Sequence, residues 1–309
     1  MLPWLAYRID SLTTSVLGRM IRPPAGYCPP GEPIPDRPED IAWPGPIHLE
    51  VKKRVKGEID WIHAPSPVRS PWPESQTIHG RAFGPANARS AILFLHGAYD
   101  VYTPFEKMGS RFAKRGFRVI IPAAPCHLER APRGTHNGAP FFWSHRSVLL
   151  GMAQWLAELH GLIQGLRQQG VERIGMFGYS IGSLTAGLAA TLWPDLDFVV
   201  LLAPVGHHLQ AIREARVSKD LWPWMTTATP EEGHLFDRWA PAHRAPVARR
   251  SFFLIPRFDG LQPTELQLAM WRRWGSPFLR LYRHGHISVC FSPRMSGDLG
   301  VIAASLEAA

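Results

Sequence analysis

The period of the apolar positions changes along the chain, and those changes lay out the elements. Between residues 1 and 21, Leu5, Ile9, Leu12, Val16 and Met20 recur at steps of three and four, the pattern of an amphipathic helix. The stripe predicts packing onto the protein body or onto a second subunit in a homodimer. Docking of the stripe on a membrane surface is the alternative, which a polar face poor in lysine does not favour. Residues 23–46 are proline-rich and read as an extended surface connector.

From residue 47 onward the pattern alternates. Strands are predicted over 47–53, 76–83 and 90–95; the last contains Ala91 to Leu95, a continuous apolar run suited to burial on both faces. A helix over 104–115 closes at Gly116, and a strand over 118–122 leads into an irregular stretch to 143. A long helix over 147–169 closes at Gly170, with Val148, Met152, Trp155, Leu159, Leu162 and Leu166 as its inward stripe. Strands at 173–177, 198–203, 252–255 and 278–282 then alternate with helices at 181–192, 264–274 and 297–306, with a gap over 204–250. This order predicts an α/β fold: a mostly parallel central sheet, right-handed crossovers and helices on both faces. It divides the chain into a helix and connector over 1–46 and a main domain over 47–309. Insertions at 125–143 and 206–249 fall after strand ends and would form a cap.

Composition narrows the function classes. At 309 residues, 45% hydrophobic and 19% charged, the chain can bury a full core and does not have the make-up of a disordered protein. Cys28, Cys126 and Cys290 are odd in number and scattered, which suggests neither a disulfide framework nor a zinc site and fits reduced thiols in a cytoplasmic protein. Residues 1–21 lack a basic leader and a cleavage site, and Arg8, Asp10 and Arg19 make them too polar to span a bilayer. The net charge of +9 includes no basic run interleaved with stacking aromatics, so nucleic acid is not an expected partner.

The chemistry lies in four short segments. Gly178-Tyr179-Ser180-Ile181-Gly182 matches G-x-S-x-G, with an apolar strand leading in and a helix leading out, the setting of a nucleophile on a sharp turn. Leu95-His96-Gly97-Ala98 follows an earlier strand, so the amides of Ala98 and Ile181 are the candidate oxyanion donors. His96, which precedes the nucleophile in the chain, reads as a loop organiser. Asp259, in the turn after the strand over 252–255, is the candidate acid; Asp195 and Asp197 precede a strand, and Asp220 and Asp237 lie in the long gap. His286 is the candidate base, chosen over His284 because Gly285 supplies the turn that aims it back. Tyr179, Phe142, Trp143, His207, Trp222 and Trp224 are candidate substrate contacts under an aromatic-rich cap. Arg130 and Arg133 are expected near its mouth, where they would steer anionic substrates.

These segments resemble those of the α/β-hydrolase superfamily: LFLHGA at 93–98, GYSIG at 178–182, the D-x-x-x-P of 259–263 and the Gly285-His286 pair stand in the order Ser, Asp, His. Gly134-Thr-His-Asn-Gly138 with Phe141-Phe142, and His286-Ile-Ser288, are similar to a poorly characterised branch. The resemblance implies acyl transfer to water from a small-molecule or lipid-like ester with an apolar acyl or aryl group, with no metal or organic cofactor. An amide, thioester or C–C bond could be cleaved by the same residues, and a catalytically silent binding protein is the remaining alternative.

Overall fold

In the computed structural model, residues 1–55, 59–217 and 223–307 are described. The strands are β1 Glu50–Val55, β2 Ile59–Pro65, β3 Thr77–Phe83, β4 Ser90–Leu95, β5 Phe117–Pro122, β6 Arg173–Tyr179, β7 Phe198–Leu202, β8 Arg250–Pro256 and β9 Phe278–Tyr282. They form one sheet in the order β1-β2-β3-β5-β4-β6-β7-β8-β9. The β1-β2-β3-β5 edge is antiparallel, and every pairing from β5 to β9 is parallel.

The helices are α1 Pro3–Met20, α2 Tyr102–Ala113, α3 His145–Gln168, α4 Ile181–Leu192, α5 His208–Glu214, α6 Pro230–Arg238, α7 Thr264–Arg273 and α8 Pro293–Glu307. Alternation along β4 sends Leu93 and Leu95 into one core with α3 and α4, and Ile92 and Phe94 into the other with α2 and α8. Phe94 stacks on Phe177 of β6 at 4.6 Å between ring centroids, so neighbouring strands are joined through side chains as well as the ladder. All six residues of the predicted α3 stripe are buried. Register sets the ends of β4 and β6 level: Leu95 pairs with Gly178, and Tyr179 pairs with Leu202 of β7. The loop after β4 and the turn after β6 therefore meet at the carboxyl edge, where open α/β sheets bind ligands.

Three elements escape the hydrophobic pattern. On β2 the inward residues are Asp60, Ile62 and Ala64, only one of them strongly apolar, so the period-two signal is faint. Helix α5 has too few turns to show a period. Helix α6 carries a different signature: Thr229 accepts from the amide of Glu232, whose carboxylate accepts from the amide of Thr229, a reciprocal cap written in the sequence as T-x-x-E.

Helix α1 forms where its periodicity predicts but faces the other way. Ala6, Asp10, Thr14 and Gly18 are buried, while Leu5, Leu12, Val16 and Met20 are exposed, Leu12 at 70%. The body offers this helix three unpaired backbone N–H groups, and only a carboxylate on a face of small residues can approach and accept from them. An apolar stripe carries no acceptor, so the polar match sets the rotation.

Candidate active site

Strand β6 delivers Ser180 onto a turn in which its φ is 55° and ψ −121°, a conformation L-residues rarely adopt. Two glycines make that turn possible. A Cβ on Gly178 would lie 2.4 Å from the carbonyl oxygen of Gly182, and one on Gly182 would lie 2.3 Å from that of Leu95. Both obstacles are backbone and cannot swing aside. The hydroxyl of Ser180 thus stands above the sheet at the first turn of α4, whose leading amides have no helical acceptor.

His286 Nε2 lies 2.9 Å from Ser180 Oγ, and its Nδ1 lies 2.9 and 3.0 Å from the two carboxylate oxygens of Asp259. Asp259 is oriented in turn by the amides of Leu261 and Gln262 and by the side-chain amide of Gln267. With Nδ1–H donating to Asp259, Nε2 presents its lone pair to the serine hydroxyl. Burial pulls the imidazole pKa down, but Asp259, followed by Asp10 and Asp100, outweighs it and holds the pKa above the ordinary 6.5. His284, the competing histidine, makes none of these contacts.

The residue that sequence reading overlooked is Asp10. Its Oδ2 accepts from the amides of Gly260 and His286, both at 2.9 Å, and its Oδ1 accepts from the amide of Ile287 at 3.0 Å. One carboxylate from α1 thus ties the loop carrying Asp259 to the loop carrying His286. A Cβ at Gly285 would lie 2.7 Å from Asp10 Oδ2, so the glycine that aims His286 also makes room for this acid. Burial and the nearby Asp259 raise the Asp10 pKa; His286 and the donated amides act the other way. A helix reading based on apolar spacing treats Asp10 as solvated, and no local motif marks it.

The loop after β4 is organised from within. The amide of Ala124 donates to His96 Nε2, His96 Nδ1–H donates to the carbonyl of Gly97, and burial lowers its pKa to about 4. The Gly97 amide donates to Asp100 at 2.7 Å, and burial lifts that carboxyl to about 7. Ala98 and Ile181 line the cavity beside Ser180.

That cavity has a volume of about 100 Å³ and is walled by Ile21, Phe142, Val205, Ile212, Met225 and Leu261, with Ser180 and His286 exposed to it. Both insertions and the end of the N-terminal segment supply its walls. Of the predicted contacts, Phe142 lines it. Tyr179, Trp143, His207 and Trp224 are not among the described residues that do, and Trp222 lies outside the described residues. Tyr179 is buried below the turn, where its hydroxyl donates to the carbonyl of His286 at 3.0 Å. Trp143 packs edge-on against Tyr27, and Trp224 joins the periphery of the core. His207 turns away to donate from Nε2 to Asp237, and its neighbour His208 lines the cavity instead, with burial lowering its pKa to about 3. Adjacent residues cannot point the same way, and the sequence does not say which one points inward.

Arg130 is a correction of another kind. It is fully buried and paired with Glu158 at 2.6 Å, inside a network with Ser75 and Gln154, so it holds the insertion to α3 and presents no charge to a substrate. His207, Asp237 and His243 could bring three metal-ligating atoms within 4.8 Å of one another. The amide of Gln210 donates to His207 Nδ1, however, leaving the proton on Nε2, the atom a metal would need bare.

A family model described as "Alpha/beta hydrolase family" matches residues 92–300. An uncharacterized protein of Mycobacterium tuberculosis (strain ATCC 25618 / H37Rv) is 24% identical over 226 residues, 71% of this chain and 50% of that protein. The chain therefore spans about half the length of the curated relatives it matches. Among solved structures, an acetyl xylan esterase from Paenibacillus sp. R4 superposes with a TM-score of 0.62 at 14% identity, covering 97% of this chain and 94% of that one. An acylaminoacyl peptidase of Pyrococcus horikoshii gives 0.57 at 13%, covering 84% of this chain and 41% of that one. A carboxyl esterase of the fungus Tuber melanosporum gives 0.56 at 13%, covering 82% and 88%. At these identities the solved structures speak for the fold alone.

Proposed function

The chain belongs to the alpha/beta hydrolase family, and from that premise we propose that it is a serine hydrolase cleaving a carboxylic ester with a short apolar acyl group. Ser180 Oγ attacks the acyl carbon while His286 Nε2 takes its proton. The amides of Ala98 and Ile181 receive the oxyanion, and His286 returns the proton to the departing alcohol. Water, activated by the same imidazole, then releases the acid from Ser180. Asp259 fixes the tautomer and supports the imidazolium, and Asp10 positions the loops that carry both.

The observation that supports this reading best is the unbroken hydrogen-bond chain Ser180–His286–Asp259 opening on an apolar cavity. The cavity also bears on the acyl group. Its volume of about 100 Å³ falls well below the roughly 300 Å³ at which pockets begin to take drug-sized ligands. A panel of p-nitrophenyl esters of graded acyl length tests the proposal: kcat/KM is expected to be highest for acetyl to butyryl and to fall at least about tenfold for octanoyl. A maximum at long chains would contradict the short-acyl reading.

A further inference from the structure

We propose that the outward face of α1 docks on an anionic phospholipid bilayer, lying in the plane of its surface. Among the described residues thirteen large apolar side chains are exposed, and seven of them fall within residues 1–20: Met1, Leu2, Trp4, Leu5, Leu12, Val16 and Met20. Such a concentration marks a contact surface rather than scattered exposure. At 100° per residue, Leu5, Leu12 and Val16 point opposite to the buried Ala6, Asp10, Thr14 and Gly18. The rotation that brings Asp10 to the catalytic loops is therefore the one that turns the apolar stripe outward. Phe291, exposed at 72%, ends the turn whose Ser288 meets Met1, so the apolar surface continues past the start of the helix.

Charge selects the occupant. Arg8, Arg19 and Arg22 are exposed and form no ion pair among the described residues, and Asp10, the one acid in residues 1–22, is buried and points inward. Arg257 and Arg283, on the two loops that Asp10 pins, are likewise exposed and without an ion pair among the described residues. A basic rim around an apolar stripe matches acidic headgroups above acyl chains. A second copy fits worse, because an isologous contact would set these arginines against their own counterparts with no exposed acid on the helix. The area is also small: an 18-residue helix presents one face on the order of 300 Å², against about 800 Å² per partner in a stable protein interface. No helix among the described residues is long and apolar enough to cross a membrane, so contact would be with the surface. Ile21, directly after α1, lines the cavity, and docking would set that cavity beside the lipid. The proposal does not depend on which bond the chain cleaves.

Co-sedimentation of the full chain with phosphatidylcholine vesicles carrying about one quarter phosphatidylglycerol tests it. Binding is expected to be stronger than to pure phosphatidylcholine and to weaken as salt is raised. The double variant Leu12→Glu/Val16→Glu should bind at least about tenfold more weakly, with its melting temperature and its turnover of a soluble p-nitrophenyl ester unchanged. Absence of vesicle binding, or equal binding by the double variant, overturns the proposal. So does a free chain that is dimeric in solution and becomes monomeric in that variant.

Discussion

Asp10 shows how far a single residue can act from the chemistry it serves. It stands more than two hundred positions before the loops it joins, and its three donated amides fix the approach of His286 to Ser180. Its negative charge also helps to hold the His286 pKa above the ordinary value. In the proposed mechanism the base must be neutral to accept the serine proton, so activity is expected to rise as pH passes upward through that pKa. Removing a charge that stabilises the imidazolium lowers the pKa, and the acid limb of kcat/KM for Asp10→Asn is predicted to move to lower pH. Asp10→Ala, which removes every acceptor, should lose more rate, since each orphaned buried amide costs about 1–3 kcal/mol. An acid limb unmoved in Asp10→Asn would reduce Asp10 to a packing role. Residues defined by their neighbours along the chain, such as Ser180 between its glycines or Asp259 after its strand, are legible in the sequence. Asp10 and His208 are defined by where distant segments meet, and no local pattern carries that.

At the scale of elements, the turn between β6 and α4 is tightly constrained. Gly178 faces the backbone of Gly182 and Ser183 at the start of α4, and Gly182 faces that of Leu95 and His96, which cannot move unless the loop after β4 moves with it. Gly182→Ala is predicted to push Leu95 and the candidate oxyanion loop outward at a cost of about 2 kcal/mol or more. Calorimetry should then show a melting temperature lower by about 3 °C or more, together with loss of hydrolytic turnover; a variant with wild-type melting and rate would contradict the account of the turn. The parallel strands and long helices can be read from sequence because both faces of the sheet are buried, so apolar runs and stripes survive undiluted. Strand β2 and helices α5 and α6 cannot be read from hydrophobicity, because β2 buries only one strongly apolar side chain and the two helices have too few turns to establish a period. The periodicity of α1 gave the right element and the wrong face, because hydrogen-bond demand rather than apolar area set its rotation.

Across the whole molecule, charge and apolar surface divide between two kinds of work. Arg130 is buried in a pair with Glu158 and presents no charge at the surface. Five exposed arginines lie along α1 and the loops it touches, beside the largest run of exposed apolar side chains among the described residues. Helix α1 thus bears on the end of the sheet where the carboxyl ends of β6, β8 and β9 bring Ser180, Asp259 and His286 together. The central claim is that Ser180 is a nucleophile activated by His286, and its most direct test is covalent. A fluorophosphonate probe followed by intact mass and peptide mapping should show one adduct per chain, located on Ser180 and absent from Ser180→Ala. An unmodified chain, or an adduct that persists in Ser180→Ala, would contradict it.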